Sequence, residues 1–223
     1  MLKKKKTTAI ILMAGKSSRY NKNINKNLEL IKKKPLFMYS LDVFYNNKNI
    51  DKIILVVKKE DLDEVNKDIK GYENVLVLES KSEREASLVE ALNNTDTDNV
   101  IIHDGARPVI KASYIDALLN EIKKYKGVTM GVISKDNIKI CNSDEEVLRT
   151  PKRANTWVVQ HPQCFNREVL LDVMEKDKTN TKDDALLLEK YGYIVKVVEG
   201  DYSNIKVTTL EDLEKAKKYL DEE

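Results

Sequence analysis

Gly15, Lys16, Arg19, Lys22 and Lys26 follow directly on the apolar run Ile10-Ile11-Leu12-Met13. A small-residue turn after a buried strand exposes backbone N–H groups that can cradle phosphate, and Arg19 and Lys26 would add charge suited to a triphosphate. The stretch MAGKSSR, residues 13–19, lacks the glycine and lysine spacing of a Walker A loop or a G-x-G-x-x-G fingerprint. Taken singly, Lys16, Lys22, Lys32, Lys33 and Lys34 read as solvated surface charges. A second cluster, HDGARP at 103–108, is more informative. Asp104 can accept from a substrate hydroxyl or hold Mg²⁺, and Arg107, beside a stiffening Pro108, can grip a phosphate bidentately. An Asp at a turn or helix cap with an Arg partner would look the same. His103 reads as a packed residue. Lys206, within EGDYSNIKVTTLEDL at 199–213, points either to solvent or into a site. Arg153 in Thr150-Pro151-Lys152-Arg153 is equally open to reading as a rim charge.

These residues need a scaffold. Four apolar runs, Ala9 to Met13, Ile53 to Val57, Val75 to Leu78 and Val100 to Ile102, are continuous rather than alternating, which suits parallel strands covered on both faces. Ile115, Leu118, Leu119, Ile122 and Tyr125 share one helical face, as do Leu210, Leu213, Ala216 and Leu220. Ser82 to Glu85 and Thr209 to Asp212 have the spacing of capping boxes. Strands alternating with helices predict an α/β fold, an open, doubly wound sheet whose ligands bind outside the carboxyl ends of the strands. The loops 15–26 and 103–108 fall there. The stretch 134–159, with short polar segments, Pro151 and the only Trp, Trp157, reads as an arm suited to a dimer contact. One domain over 1–223 is expected.

With 39 Lys plus Arg against 37 Asp plus Glu, the formal charge of +2 gives no field for non-specific nucleic-acid binding. Cys141 and Cys164 form no C-x-x-C pair, which argues against a zinc site or disulfide framework and fits a reducing compartment. No stretch approaches the roughly 20 apolar residues of a membrane span. A soluble, cytoplasmic protein with neither nucleic-acid nor membrane partners is expected.

In order along the chain, MAGKSSR, Lys26, SEREAS, HDGARP, KDNIK, TPKR with Trp157, HPQCF, DDA at 183–185 and EGDYSNIKVTT resemble the 2-C-methyl-D-erythritol 4-phosphate cytidylyltransferases and the related ribitol-5-phosphate cytidylyltransferases. The resemblance implies a doubly wound, mostly parallel, Rossmann-like nucleotidyltransferase fold whose projecting β-arm builds a homodimer. It implies that CTP and Mg²⁺ bind, that the phosphate of a sugar alcohol attacks the α-phosphorus in line, and that pyrophosphate leaves. Arg19, Lys26 and Lys206 then match catalytic cations. Met13, Ala14, Gly15, Ser82, Ser87 and Asp104 match the nucleotide side, with Asp104 also the metal ligand. Asp104, Arg107 and Lys206 match the acceptor side, and Asn137 and Arg153 reach the neighbouring subunit's acceptor phosphate.

The chain departs from that pattern where the family commonly has Ala at Met13, Pro-Lys-Gln at 25–27, Asp at Ser82 and Thr at Asn137. Met13 is expected to crowd the base, and Asn25 to leave the loop before Lys26 less rigid. HDGARP favours 2-C-methyl-D-erythritol 4-phosphate as acceptor, because the ribitol branch more often carries Ser-Val at 105–106. Ribitol 5-phosphate is the alternative acceptor, and a non-catalytic nucleotide-binding regulatory protein the alternative class.

Overall fold

The computed structural model describes residues 5–15, 20, 25–177, 179 and 183–222. Its centre is a seven-stranded sheet of β1 (Thr7–Leu12), β4 (Lys52–Val57), β5 (Val75–Glu79), β6 (Asn99–Asp104), β7 (Gly127–Ile133), β10 (Trp157–Asn166) and β11 (Val195–Glu199). Their order is β11-β7-β10-β6-β1-β4-β5. β1 runs parallel to both β4 and β6, and only β10 is antiparallel, to β6 and β7. Two small antiparallel pairs stand apart from it, β2 (Leu30–Ile31) with β3 (Lys34–Pro35), and β8 (Ile140–Cys141) with β9 (Val147–Arg149).

Helices cover both faces. Ala9, Ile11 and Met13 point into one layer with Phe37, Leu41 and Phe44 of α1 (Leu36–Tyr45), Val65 of α2 (Leu62–Asp68), and Ile115 and Leu118 of α4 (Ala112–Glu121). Ile10 points the other way, towards Leu88 and Leu92 of α3 (Arg84–Asn93), Val173 of α5 (Arg167–Lys176) and Leu188 of α6 (Asp184–Lys190). Alternate side chains thus enter opposite cores, which is why the strand reads as an unbroken apolar run. α7 (Leu210–Asp221) packs Leu213 and Ala216 against Ile31, Leu36 and Ala106. Among the described residues no helix is long and apolar enough to cross a membrane.

From β1 the chain passes outward through β4 to β5, then returns to the other side of β1 as β6. The direction of winding reverses there, and the crevice at the carboxyl ends of β1 and β6 is where such sheets bind ligands. Two expectations are corrected. The arm is shorter than 134–159, because Trp157, Val158 and Val159 pair with Ile133, Val132 and Gly131 inside the main sheet. What projects is the ribbon of β8 and β9, in which Val147 and Leu148 are 57% and 65% exposed. The Thr209 capping box forms with Asp212, whereas Ser82 makes none: Glu83 occupies the capping position of α3 and no side-chain bond caps the helix.

Candidate active site

The loop after β6 holds the densest group of charges. Asp104, the last residue of the strand, accepts on Oδ2 from Arg107 Nε at 3.2 Å and faces Lys206 Nζ at 3.0 Å. Arg107 also donates from Nη1 to the Asn204 carbonyl at 2.8 Å, and the Val207 N–H donates to the Ala106 carbonyl at 2.8 Å. Residues 104–107 and 204–207 are therefore laced together. Burial by itself would raise the Asp104 pKa, but the fields of His161, Lys206 and Arg107 outweigh it and hold the carboxyl well below the usual range. Asp104 is an anion throughout the physiological range.

His161, on the irregular part of β10, sits beside this group. One ring nitrogen, Nδ1, lies 3.2 Å from the Ile102 carbonyl, and its backbone oxygen accepts from Asn204 Nδ2 at 2.7 Å. Burial lowers its pKa, against the opposing pull of Asp104. His103 is the packed residue its sequence context suggested: wholly buried, edge-on to Phe44 at 5.4 Å, with burial pushing its pKa down to about 3.

Of the residues expected on the nucleotide side, Ala14 and Gly15 follow the end of β1, half-buried and exposed respectively. Met13 is the residue expected to crowd the base. Its side chain is fully buried in the core, its N–H donates to Val56 at 2.9 Å, and its carbonyl accepts from Asn27 Nδ2 at 2.8 Å. It ties the end of β1 to the loop at Asn27. Lys26 is half-buried at the head of a short 3₁₀ turn, Lys26–Leu28. Asn25, expected to loosen this loop, instead caps that turn by accepting from the Asn27 N–H at 3.0 Å. Arg19 lies outside the described residues.

Ser82 is exposed at the bend before α3. The buried Ser87 hydroxyl donates to the Glu83 carbonyl at 2.9 Å and accepts from the Lys81 N–H at 2.9 Å, so it shapes the bend leading into α3. Arg84, in the next turn, makes a bidentate pair with Asp184 of α6, Nη1 to Oδ1 at 2.8 Å and Nη2 to Oδ2 at 2.7 Å. Burial opposes the guanidinium charge, yet the Asp184 hydrogen bonds and field, with Asp104 and Asp183 behind them, raise its pKa. Asn137 and Arg153 are exposed on the 134–156 segment. Neither is among the hydrogen-bond partners of Asp104, Arg107 or Lys206 in the same chain.

Asp104, Arg107 and Lys206 are thus brought together as their motifs suggested. His161, Asn204 and the Arg84–Asp184 pair were not singled out as site residues. SEREAS, HPQCF, DDA and EGDYSNIKVTT contain Arg84, His161, Asp184 and Asn204 without assigning any of them a role.

Among the described residues no group of three or more His, Cys, Asp or Glu is arranged to hold a metal. A magnesium ion that takes one or two protein carboxylates and fills its shell with phosphate oxygens and water fits a lone, ionised Asp104.

The family model described as IspD: 2-C-methyl-D-erythritol 4-phosphate cytidylyltransferase matches residues 7–222. The chain belongs to this family. The 2-C-methyl-D-erythritol 4-phosphate cytidylyltransferase of Clostridium botulinum (strain Langeland / NCTC 10281 / Type F) is 41% identical over 217 residues, which cover 93% of this chain and 94% of that protein. The Clostridioides difficile (strain 630) protein of the same name is 36% identical, covering 97% and 94%. Among solved structures, the 4-diphosphocytidyl-2C-methyl-D-erythritol synthase of Anaerococcus prevotii DSM 20548 superposes with a TM-score of 0.88 at 32% identity, covering 97% of this chain and 96% of that one. Membership accounts for the mostly parallel, Rossmann-like sheet. Arg107 and Lys206 stand at the carboxyl ends of its central strands, against Asp104.

Proposed function

We propose that this protein transfers the cytidylyl group of CTP to the phosphate of 2-C-methyl-D-erythritol 4-phosphate and releases pyrophosphate. The observation that carries this reading is the Asp104–Arg107–Lys206 group at the switch point of the sheet. It sits in a chain that the family model matches almost throughout. An oxygen of the acceptor phosphate attacks the α-phosphorus, the bond to the β-phosphate breaks, and the leaving pyrophosphate takes the electron pair. Two anions must approach one another, so positioning and cationic stabilisation carry most of the catalysis. Lys26 and Arg19 would serve the triphosphate. Lys206 and Arg107 would serve the acceptor phosphate, and a guanidinium fixed at both Nε and Nη1 presents its fork in one orientation. Mg²⁺, held by Asp104 and the triphosphate, would offset charge on the phosphates. The free Cys141 and Cys164, and the phosphorylated substrates, fit the cytoplasm.

The ribbon supports a homodimer. Val147 and Leu148, with Ile133, Val158 and Val159 at its root, are all exposed and would be covered by a second copy. Asn137 and Arg153 would then serve the partner's acceptor phosphate. The other acceptor, ribitol 5-phosphate, and the non-catalytic reading are not favoured by the family match. The test is pyrophosphate release with Mg²⁺ and CTP, offering the two acceptors in parallel. Release with 2-C-methyl-D-erythritol 4-phosphate is expected. Release with ribitol 5-phosphate alone, or CTP binding with no turnover on either, would overturn the assignment.

A further inference from the structure

We infer that Asn25, Asn27 and Asp61 form a buried clasp that positions Lys26 for catalysis. The inference rests on the reading of Lys26 as a triphosphate-binding cation.

Three observations carry it. The Asn25 side chain uses all of its hydrogen-bonding capacity: Nδ2 donates to Asp61 Oδ2 at 2.6 Å and to the Met13 carbonyl at 3.3 Å, while Oδ1 accepts from the Asn27 N–H at 3.0 Å and from Asn27 Nδ2 at 2.8 Å. Asp61 ends the 3₁₀ turn Lys59–Asp61 that runs straight into α2, makes no side-chain bond to that helix and directs its carboxylate across the loop to Asn25. Finally, Asn27 closes the ring by donating to the Met13 carbonyl at 2.8 Å, at the point where β1 gives way to the glycine loop.

Asn25 and Asn27 are both buried and flank the half-buried Lys26. The lysine backbone is therefore held on either side by groups fixed to the end of β1 and to the connection between β4 and α2. A proline before this lysine would restrict the chain through its ring. Here φ of Asn25 is −72°, close to the proline value of about −65°, so the asparagine holds the same backbone angle by hydrogen bonding. None of the three clasp residues needs to touch substrate; they act through Lys26, as positioning residues.

The experiment is a double-mutant cycle on the whole protein, reading kcat, both KM values and thermal midpoint. Asp61→Ala is expected to lower kcat on the order of 10-fold, the scale on which small displacements of catalytic groups are felt, with KM for the acceptor unchanged. In an Asn25→Pro background, where the ring fixes the angle without the amide, Asp61→Ala should cost no further activity, because nothing remains for the carboxylate to hold. Asp61→Asn, which keeps an acceptor, should recover part of the lost rate, and it takes the place of Asp61→Ala if that variant fails to fold. Lys26→Ala is the control. If Lys26→Ala abolishes turnover while Asp61→Ala changes kcat less than twofold, or costs the same in both backgrounds, the clasp has no positioning role. If Lys26→Ala itself leaves the rate intact, the role assigned to Lys26 fails instead.

Discussion

Breaking the Arg84–Asp184 pair from its two ends should have unequal consequences. The Asp184 side chain is 2% exposed and the Arg84 side chain 34%. Arg84→Met removes both hydrogen bonds, at 2.8 and 2.7 Å, and strands a carboxylate with no route to water. Removing one partner of a buried pair costs about 3–5 kcal/mol. Asp184 lies in the first turn of α6, and the helix dipole returns up to about 1 kcal/mol of that, leaving a net loss of about 3 kcal/mol. Asp184→Asn leaves a guanidinium that can turn to solvent and keeps one neutral acceptor, so its cost is about 1–2 kcal/mol. At about 2–4 °C per kcal/mol for a chain of this size, Arg84→Met should lower the midpoint by about 6–12 °C and Asp184→Asn by about half that. The double variant Arg84→Met/Asp184→Asn should recover much of the Arg84→Met loss, because no charge is then left buried. Urea unfolding of the four proteins provides the cycle. Equal losses from the two single variants, or simple additivity in the double, would refute the argument that a stranded carboxylate dominates.

Gly105→Ala should cost about 1–3 kcal/mol, since its Cβ would lie 2.9 Å from Met13 Cγ and 3.1 Å from Asn27 Oδ1; thermal melting and kcat measured together would show both the strain and its effect on the adjoining loop. His103, lowered by burial to about 3, binds its proton in the unfolded chain near pH 6.5 but not in the folded one until far lower pH. Stability should therefore fall on acidification from about pH 6 to pH 4, by up to about 1.4 kcal/mol per pH unit from this residue, and His103→Gln should flatten urea midpoints measured across that range. Thr209→Ala removes the acceptor of the bond that the Asp212 N–H donates to the Thr209 hydroxyl at 3.2 Å and should destabilise by about 1 kcal/mol, seen as a drop of about 2–4 °C in midpoint.

β1, β4 and β6, covered on both faces, read clearly as unbroken apolar runs, and so did the half-buried edge strand β5, whereas the equally buried β7 was missed because Gly127, Thr129 and Gly131 interrupt its apolar residues. β10 was obscured because it is antiparallel and irregular, carrying Gln160, His161 and Pro162 in its middle. β11 was obscured because it is an edge strand whose Lys196 and Glu199 face solvent. The same division holds at the site. Asp104, Arg107 and Lys206 announce themselves as charges at strand ends or beside a capped helix. Asn25 and Asp61 are 36 positions apart and Arg84 and Asp184 are 100 apart, and nothing local in either partner specifies the other. Asn25 in particular reads as a loss of rigidity when compared with proline, and only its tertiary partners reverse that reading.

The antiparallel setting of β10 has a consequence for the ribbon. Ile133 and Trp157 are directly opposite each other at the edge of the main sheet, and the Ser134 N–H closes onto the Thr156 carbonyl at 2.8 Å. The whole excursion 134–156 therefore leaves and re-enters through one gate about a strand spacing wide, some 4.8 Å. Such an insert behaves as a cassette. It can lengthen, shorten or be exchanged for a tight turn while every register of the seven strands stays as it is.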